Sequence, residues 1–217
     1  MRDGGVVVWD KSTADHVVRA LTALEVQWRR LGAPIATALE PGISSQEIDL
    51  LAVPYGLEIP GEVKASWGWH NGARAVAPGQ GRWTVGPGGY EFLSAQSSLE
   101  SYALNRRVHE ESPGDDPLLD PYWHESWLPF MTSDAQRLFV DCDRTDQFGA
   151  SPVRLVTWEW ENFQVDRATS VAQVILIWTW LLEQDLYHVV RGESGNVWWE
   201  PVEWSRVPEF LRRSGLA

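Results

Sequence analysis

Residues 41–72 of the chain have the sequence PGISSQEIDLLAVPYGLEIPGEVKASWGWHNG, and this stretch contains the clearest helix start and stop signals of the chain. Ser44 and Glu47 have the spacing of a capping box, in which each side chain bonds the other residue's backbone amide at the start of a helix. The spacing predicts a short helix that continues to about Val53. Pro54 should end this helix, because proline removes a backbone donor and restricts the residue before it.

A second helix is predicted from Pro60, since proline is favoured at the first helical position. Four residues at spacings of four, four and three place their side chains on one buried stripe: Ile59, Val63, Trp67 and His70. Asn71 and Gly72 tolerate left-handed backbone geometry, which predicts that the helix ends there.

A longer amphipathic helix is predicted upstream, from Ser12 or Thr13 to Leu31. Its apolar side chains recur every three or four residues and form a single stripe that must be covered. We expect residues 1–39 to form an N-terminal extension of the main domain. The sequence leaves open whether residues 1–31 belong to the fold.

Downstream of residue 72 the pattern changes to short strands. Apolar runs between turn residues predict strands at residues 90–93, 127–131, 137–142 and 153–160. Pro129 favours an edge position for the second of these strands. Two further helices are predicted, one capped by Ser97 or Ser98 and one by Ser170.

Clustered strands surrounded by helices predict an α+β class. We expect a central, mainly antiparallel sheet with helices packed around it, in a single domain at residues 40–190. A C-terminal extension, residues 191–217, is rich in Trp and should pack on this domain, because Trp side chains suit cores and interfaces.

The charge of the chain restricts its partners. The 217 residues include 18 basic and 30 acidic ones, which gives a formal net charge of −12. Residues 110–217 hold 8 of the bases and 19 of the acids, and so carry −11 of this charge. Binding to nucleic acid or to an anionic membrane is disfavoured, because both require a basic surface. A basic protein partner is favoured instead.

Cysteine usage and apolar run lengths predict the compartment. Cys142 is the only cysteine, so no internal disulfide and no thiolate metal site can form. The longest apolar stretch, residues 171–182, is shorter than the roughly 20 residues that span a membrane. The first ten residues hold only four consecutive apolar side chains, too few for a signal peptide. We therefore expect a cytoplasmic protein.

Sequence patterns typical of catalysis are weak. The five histidines form no His-x-x-x-His pair, and the chain has no nucleophile elbow and no phosphate-binding loop. His70 could act as a base, although its helical spacing favours a core or capping role. We therefore predict no catalytic residue and no cofactor.

Two groups of acidic residues have spacings that resemble known kinds of site. Three aspartates follow a predicted strand: Asp141, Asp143 and Asp146. They fail the EF-hand pattern, which needs glycine at position 146 and glutamate at position 152, so turn formation is favoured and no metal is predicted. Glu159 and Glu161 lie among tryptophans and leave a glycosidase as an alternative.

The acidic segment at residues 110–125 contains no Lys or Arg. Its carboxylates could mimic phosphate groups in a basic groove of a partner, with aromatic side chains as anchors. The predicted partner-binding residues are Glu110, Glu111, Asp115, Asp116, Asp120 and Trp123. The alternative is a solvated loop without a partner.

The stretch at residues 41–72 resembles the signature of the SUKH superfamily, which takes in the fungal Smi/Knr cell-wall-synthesis regulators and many bacterial proteins. The residues that carry the resemblance are Gly56, Ile59, Pro60, Trp67, Trp69, His70, Asn71 and Gly72. Later segments occur in the same order and extend the resemblance over residues 40–190. Pro54 departs from the pattern, because it interrupts a helix that usually continues.

The resemblance implies a binding module rather than an enzyme. Bacterial members are similar to immunity proteins, which are encoded beside polymorphic toxins and neutralise the toxin domain. Those toxins are often nucleases and therefore basic, which agrees with the acidic charge of this chain. The fungal relatives imply the alternative, a regulatory scaffold with no toxin partner. The identity of the partner and the oligomeric state stay open.

Overall fold

The computed structural model describes residues 14–74, 83–111, 123–133, 136–157, 166–192 and 197–216. The α-helices in these ranges are α1 (Ala14–Arg30), α2 (Ser45–Ala52), α3 (Gly61–Trp69), α4 (Ala95–Glu111), α5 (Val171–Glu183) and α6 (Glu209–Ser214). The strands are β1 (Leu39–Pro41), β2 (His70–Ala73), β3 (Glu91–Phe92), β4 (Trp127–Thr132), β5 (Gln136–Asp141), β6 (Val153–Thr157), β7 (Asp166–Ala168), β8 (Tyr187–Arg191) and β9 (Val197–Pro201). The predicted α+β class is confirmed.

An antiparallel sheet of five strands, in the order β3-β4-β5-β6-β7, forms the centre. Leu138 of β5 pairs with Met131 of β4 on one side and with Leu155 of β6 on the other. Buried residues run almost continuously along β4 and through the second half of β5. Strands with this pattern are covered on both faces, which explains their continuous apolar sequence.

Pro129 does not lie at the sheet edge, so that prediction was wrong. β4 pairs with β3 on one side and with β5 on the other. The missing donor of Pro129 is tolerated because β3 reaches only Met131 and Thr132, and the pairing with β5 shifts register between Pro129 and Met131.

Helix α1 belongs to the hydrophobic core. Its stripe of Val17, Leu21, Leu24 and Trp28 is buried, and the helix packs against α3 and α5. The indole N–H of Trp28 donates to the carbonyl of Val85 at 2.8 Å. Residues 14–30 are therefore part of the folded structure, a point that the sequence left open.

The C-terminal residues also pack on this core. Trp178 of α5 donates its indole N–H to the carbonyl of Leu216 at 2.7 Å and stacks on Tyr90, with ring centroids 5.6 Å apart. Leu211 of α6 is buried, as is Leu216. The described part of the tail is thus held to α5 by a buried hydrogen bond and by apolar packing.

Local capping signals position the helices next to the site. Ser44 Oγ accepts a hydrogen bond from the Glu47 amide at 3.2 Å, and the Glu47 carboxylate accepts one from the Ser44 amide at 2.8 Å, so the predicted capping box is confirmed. Ser170 caps α5 as predicted, because its Oγ accepts from the Gln173 amide at 3.1 Å.

None of the helices in the described ranges is both long and apolar enough to cross a membrane.

Two predicted helix boundaries were wrong. Helix α3 ends at Trp69, and residues 70–73 form β2 because they pair with β1, with Pro41 opposite His70. Helix α4 begins at Ala95 rather than after Ser97 or Ser98. The hydroxyl of Ser94 accepts a hydrogen bond from the Ser97 amide at 3.1 Å, whereas the Ser98 hydroxyl donates to the carbonyl of Pro129.

Candidate functional site

A cleft of ≈ 970 Å³ lies between residues 55–61 and the loop at residues 142–149. Tyr102 and Arg106 of α4, together with Glu125 and Ser126 before β4, complete its lining. The cleft therefore joins the end of the turn after α2, the exposed part of α4 and the loop after β5. We call it the acidic cleft, because acidic side chains outnumber basic ones in its lining.

The two walls of the acidic cleft meet at a pair of glycines. The Glu62 amide donates to the carbonyl of Gly149 at 3.1 Å. A Cβ on Gly149 would lie 3.3 Å from the Cα of Gly61, and Gly149 has φ of +82°. A side chain at position 149 would press on Gly61 and would also need a left-handed backbone, so glycine at this position allows the close contact of the two walls.

Asp146 stabilises the second wall. Its Oδ1 accepts hydrogen bonds from the amides of Phe148 at 2.8 Å and Ala150 at 3.0 Å, which closes an Asx-type turn. The turn interpretation of this aspartate is therefore confirmed. Among the described residues, no group of three or more His, Cys, Asp or Glu side chains could hold a metal ion.

The charges of the acidic cleft are unbalanced. Its two basic side chains are already paired: Lys64 lies 2.6 Å from Asp49 of α2, and Arg106 lies 2.9 Å from Glu110 of its own helix. Three exposed carboxylates of the lining form no ion pair or hydrogen bond with another described side chain: Glu58, Glu125 and Asp143. The cleft thus presents negative charge that the described part of the protein does not neutralise.

His124, Ser126 and Asp141 lie together beside the cleft but do not form a nucleophilic triad. In such a triad the imidazole stands between hydroxyl and carboxylate. Here the Ser126 hydroxyl lies 2.9 Å from His124 Nδ1 and donates to Asp141 Oδ1 at 2.9 Å, and the Ser126 amide donates to the same His124 nitrogen at 3.2 Å. The hydroxyl, not the imidazole, therefore stands between the other two groups, and the three side chains stabilise the turn that leads into β4.

Asp141 also anchors an ion-pair network behind the cleft. Arg154 Nε lies 3.5 Å from Asp141 and 3.3 Å from Asp166, and its guanidinium carbon lies 4.8 Å from the centroid of the Trp127 ring. Arg144 reaches Asp166 at 2.9 Å. These pairs join β5, β6 and β7, so they stabilise the sheet rather than contribute free charge to the cleft.

Cys142 lines the cleft, but its thiol should be unreactive. Burial, and to a smaller extent the charges of Asp141 and Asp143, raises the pKa of Cys142 to about 12. At about pH 8 we expect alkylation to be about a thousandfold slower than in the unfolded chain, because the thiolate is the reactive form. Iodoacetamide labelling followed by mass spectrometry, with a urea-unfolded reference, measures this ratio. Equal rates in the two samples would contradict it.

The structure describes only part of the predicted partner-binding set. Glu110 and Glu111 occupy the last turn of α4, where Glu111 is exposed. Asp115, Asp116 and Asp120 lie outside the described residues, as do Glu159 and Glu161 of the glycosidase alternative.

Trp123 is not an exposed anchor, contrary to its predicted role. It is 7% exposed, and its ring centroid lies 5.3 Å from Tyr102 and 5.7 Å from His109. Its indole N–H donates to the carbonyl of Trp127 at 3.3 Å. The side chain fills the space between α4 and β4, and so supports Tyr102 in the wall of the acidic cleft.

The residues that carry the family resemblance fall into two groups. Gly56, Ile59 and Pro60 line the acidic cleft. Gly56 has φ of +68°, a left-handed conformation that ends the turn after α2. Ile59 and Pro60 are buried, which fixes the start of α3.

The second group joins α3 to the sheet and to α4. The indole N–H of Trp67 donates to the carbonyl of Leu93 at 2.9 Å, and the ring of Trp69 lies 6.5 Å from that of Trp28. His70 Nδ1 bonds the carbonyl of Glu40 at 2.7 Å, which supports a structural role over that of a base. Asn71 Oδ1 accepts from the Ala95 amide at 2.8 Å and so satisfies a free donor at the start of α4.

Gly72 completes this junction. It has φ of +79°, and a Cβ there would lie 2.6 Å from the Ser94 amide nitrogen and 2.9 Å from its Cα. Only glycine allows this approach of β2 to the residue before α4.

Comparison with known proteins leaves the family open. No protein-family model matches the chain, and no curated protein is significantly similar to it. The resemblance to the SUKH superfamily therefore stays a prediction.

Proposed function

We propose that this protein is a non-enzymatic binding module of the cytoplasm that neutralises a basic, nuclease-like toxin domain, as an immunity protein does. The observation that carries the proposal is the acidic cleft, in which Glu58, Glu125 and Asp143 form no ion pair with a described residue while Lys64 and Arg106 each do. The net charge of −12 favours the same class of partner. The resemblance to the SUKH superfamily supports it independently.

Inhibition would be steric and electrostatic. The carboxylates of the cleft attract the basic groove with which a nuclease binds phosphate, and the bound protein then blocks that groove. Long-range attraction of this kind accelerates association and weakens as salt screens it. The burial of Ser126, and the Cys142 thiol with its raised pKa, support binding rather than nucleophilic catalysis.

The proposal predicts capture of a basic protein from native cell lysate in ~50 mM NaCl and its loss in ~500 mM NaCl. Immobilised wild-type protein and the variant Glu58→Gln/Glu125→Gln/Asp143→Asn should be compared by quantitative mass spectrometry. The variant should recover much less of the partner, while the control Glu183→Gln, which removes one exposed charge at the end of α5, should behave like wild type. A purified partner should then bind with an association rate that falls about tenfold or more between these salt concentrations.

Two outcomes of the capture experiment would oppose the proposal. Recovery of acidic proteins, or recovery that is independent of salt, would favour the regulatory scaffold of the fungal type. The genomic position of the gene gives a second test, since an immunity protein should be encoded next to its toxin and a scaffold need not be.

A further inference from the structure

Apolar side chains border the acidic cleft on both walls. Leu50 of α2 is 65% exposed, and Val53 in the turn after α2 is 72% exposed. Phe148, between the lining residues Asp146 and Gly149, is 37% exposed. Single exposed apolar residues are common on protein surfaces, but aliphatic and aromatic side chains around a charged cleft match the composition of protein interfaces.

The position of Leu50 and Val53 next to the cleft follows from their neighbours. Asp49, which precedes Leu50, forms the 2.6 Å ion pair with the cleft residue Lys64. Val53 has helical φ of −47° and ψ of −48°, so it lies one turn beyond both Asp49 and Leu50 on the same side of the helix, and Tyr55 of the cleft lining follows two residues later. We call Leu50 and Val53 the apolar rim.

Tyr55 offers a supported aromatic ring within the cleft. Its ring meets that of Tyr102 edge to face, with centroids 6.1 Å apart. Tyr102 is buried and held by the hydrogen bond from its hydroxyl to the carbonyl of Glu125 at 2.8 Å. An aromatic ring beside carboxylates is a favourable place for a planar cation, because cation–π attraction then adds to the ionic attraction.

We propose that the acidic cleft receives one arginine side chain from a loop of the basic partner, while an apolar residue next to that arginine packs on the apolar rim. The inference rests on the proposed function, since it names the contact through which the partner is held. The guanidinium would bond Glu125 or Asp143 and stack on Tyr55. A lysine ammonium can make the ionic contact but has no planar face to stack.

A small probe tests this site without the cellular partner. Titration of N-acetyl-arginine amide should give saturable shifts of backbone amide resonances in residues 55–61 and 142–149 of the full chain, observed by NMR. N-acetyl-citrulline amide, which has the same shape without the charge, should give none. The variant Glu125→Gln/Asp143→Asn should bind arginine amide about fivefold more weakly, and Glu183→Gln should bind as wild type does.

The apolar rim is tested by a second probe. N-acetyl-leucyl-arginine amide should bind severalfold more tightly than the arginine amide, because its leucine buries apolar surface on the rim. Val53→Ser should remove this gain, whereas Val26→Ser, at an exposed valine of α1, should keep it. Both substitutions are at exposed positions, so the variants should fold.

Each result separates the site from the function. Equal shifts with arginine and citrulline amides, or equal binding of lysine and arginine amides, would overturn the assigned site, while salt-sensitive capture of a basic partner would still support the function. Specific arginine binding without any basic partner in the lysate would leave the site and remove the function assigned to it.

Discussion

Replacing Gly42 with alanine should destabilise the protein by about 3 kcal/mol. Gly42 lies directly before Ile43, whose amide donates to the carbonyl of Trp67 at 3.1 Å, where the chain before α2 crosses α3. A Cβ on Gly42 would lie 1.9 Å from the carbonyl oxygen of Gly68 and 2.5 Å from its carbonyl carbon. These are backbone atoms of a helix, so the clash can be relieved only by moving α2 away from α3.

Urea denaturation followed by Trp fluorescence measures this loss. The matched control is Gly56→Ala, because Gly56 has φ of +68° but no atom within 4 Å of its added Cβ. That variant should lose only the left-handed backbone preference, about 1 kcal/mol. Equal losses in the two variants would show that the chain crosses α3 less closely than in this structure.

Helix starts and the apolar stripes of helices are the features that the sequence could predict. The capping box of Ser44 and the cap at Ser170 are local signals, because a helix start depends on residues three positions apart. The stripe of α1 was predicted for the same reason. Its burial against α5 was not, since amphipathic periodicity shows that a face must be covered but not by which element.

The errors occurred where pairing with a distant strand decided the structure. His70 has the spacing of a helical stripe, yet its backbone pairs with Pro41 of β1. Pro129 suggests an edge strand, yet β3 is too short to require its missing donor. In both cases the structure depends on how the segment pairs with a distant strand, and a single sequence does not show this pairing.

The acidic cleft was missed for a similar reason. Residues 55–61 and 142–149 are far apart in sequence and meet where Gly149 contacts Gly61 and accepts a hydrogen bond from the Glu62 amide. The sequence does contain the turn from Gly56 to Gly61 and the aspartates after β5, but it gives no sign that these two segments are neighbours. Trp123 was predicted to be a partner-binding anchor because it lies in an acidic segment. Its large apolar ring is instead buried against Tyr102, where burial stabilises the fold.

Glu62 was given no role by the sequence, yet it is the fully buried carboxylate that connects α3 to α5. Its Oε2 accepts from the Val171 amide at 2.8 Å, at the start of α5, and its Oε1 has no hydrogen-bond partner among the described residues. Burial raises the pKa of Glu62 to about 7, and the charge of Asp146 adds to this shift against the opposing hydrogen bonds from the α5 backbone. The native state therefore holds this proton more tightly than the unfolded chain does.

The sign of the pH effect follows from that difference. Below about pH 4.5 Glu62 is protonated in both states, so folding buries no charge at this position. As the pH rises to about 7, the unfolded carboxyl ionises first and stabilises the unfolded chain. Glu62 should therefore reduce the free energy of unfolding over this range, by about 3 kcal/mol in total, and add no further change above it.

The variant Glu62→Gln should be more stable than wild type by about 3 kcal/mol at about pH 8 and should have similar stability at about pH 4.5. Glutamine keeps an oxygen for the Val171 amide and carries no charge, so it imitates the protonated acid at every pH. Urea denaturation of both proteins at the two pH values measures the effect. The control Glu58→Gln removes an exposed carboxylate four residues away and should follow the wild-type pH dependence. Two results would contradict the prediction: a stability difference between wild type and Glu62→Gln that is the same at both pH values, or a variant that is less stable at the higher pH. Either result would mean that the buried carboxylate ionises at little cost throughout this range.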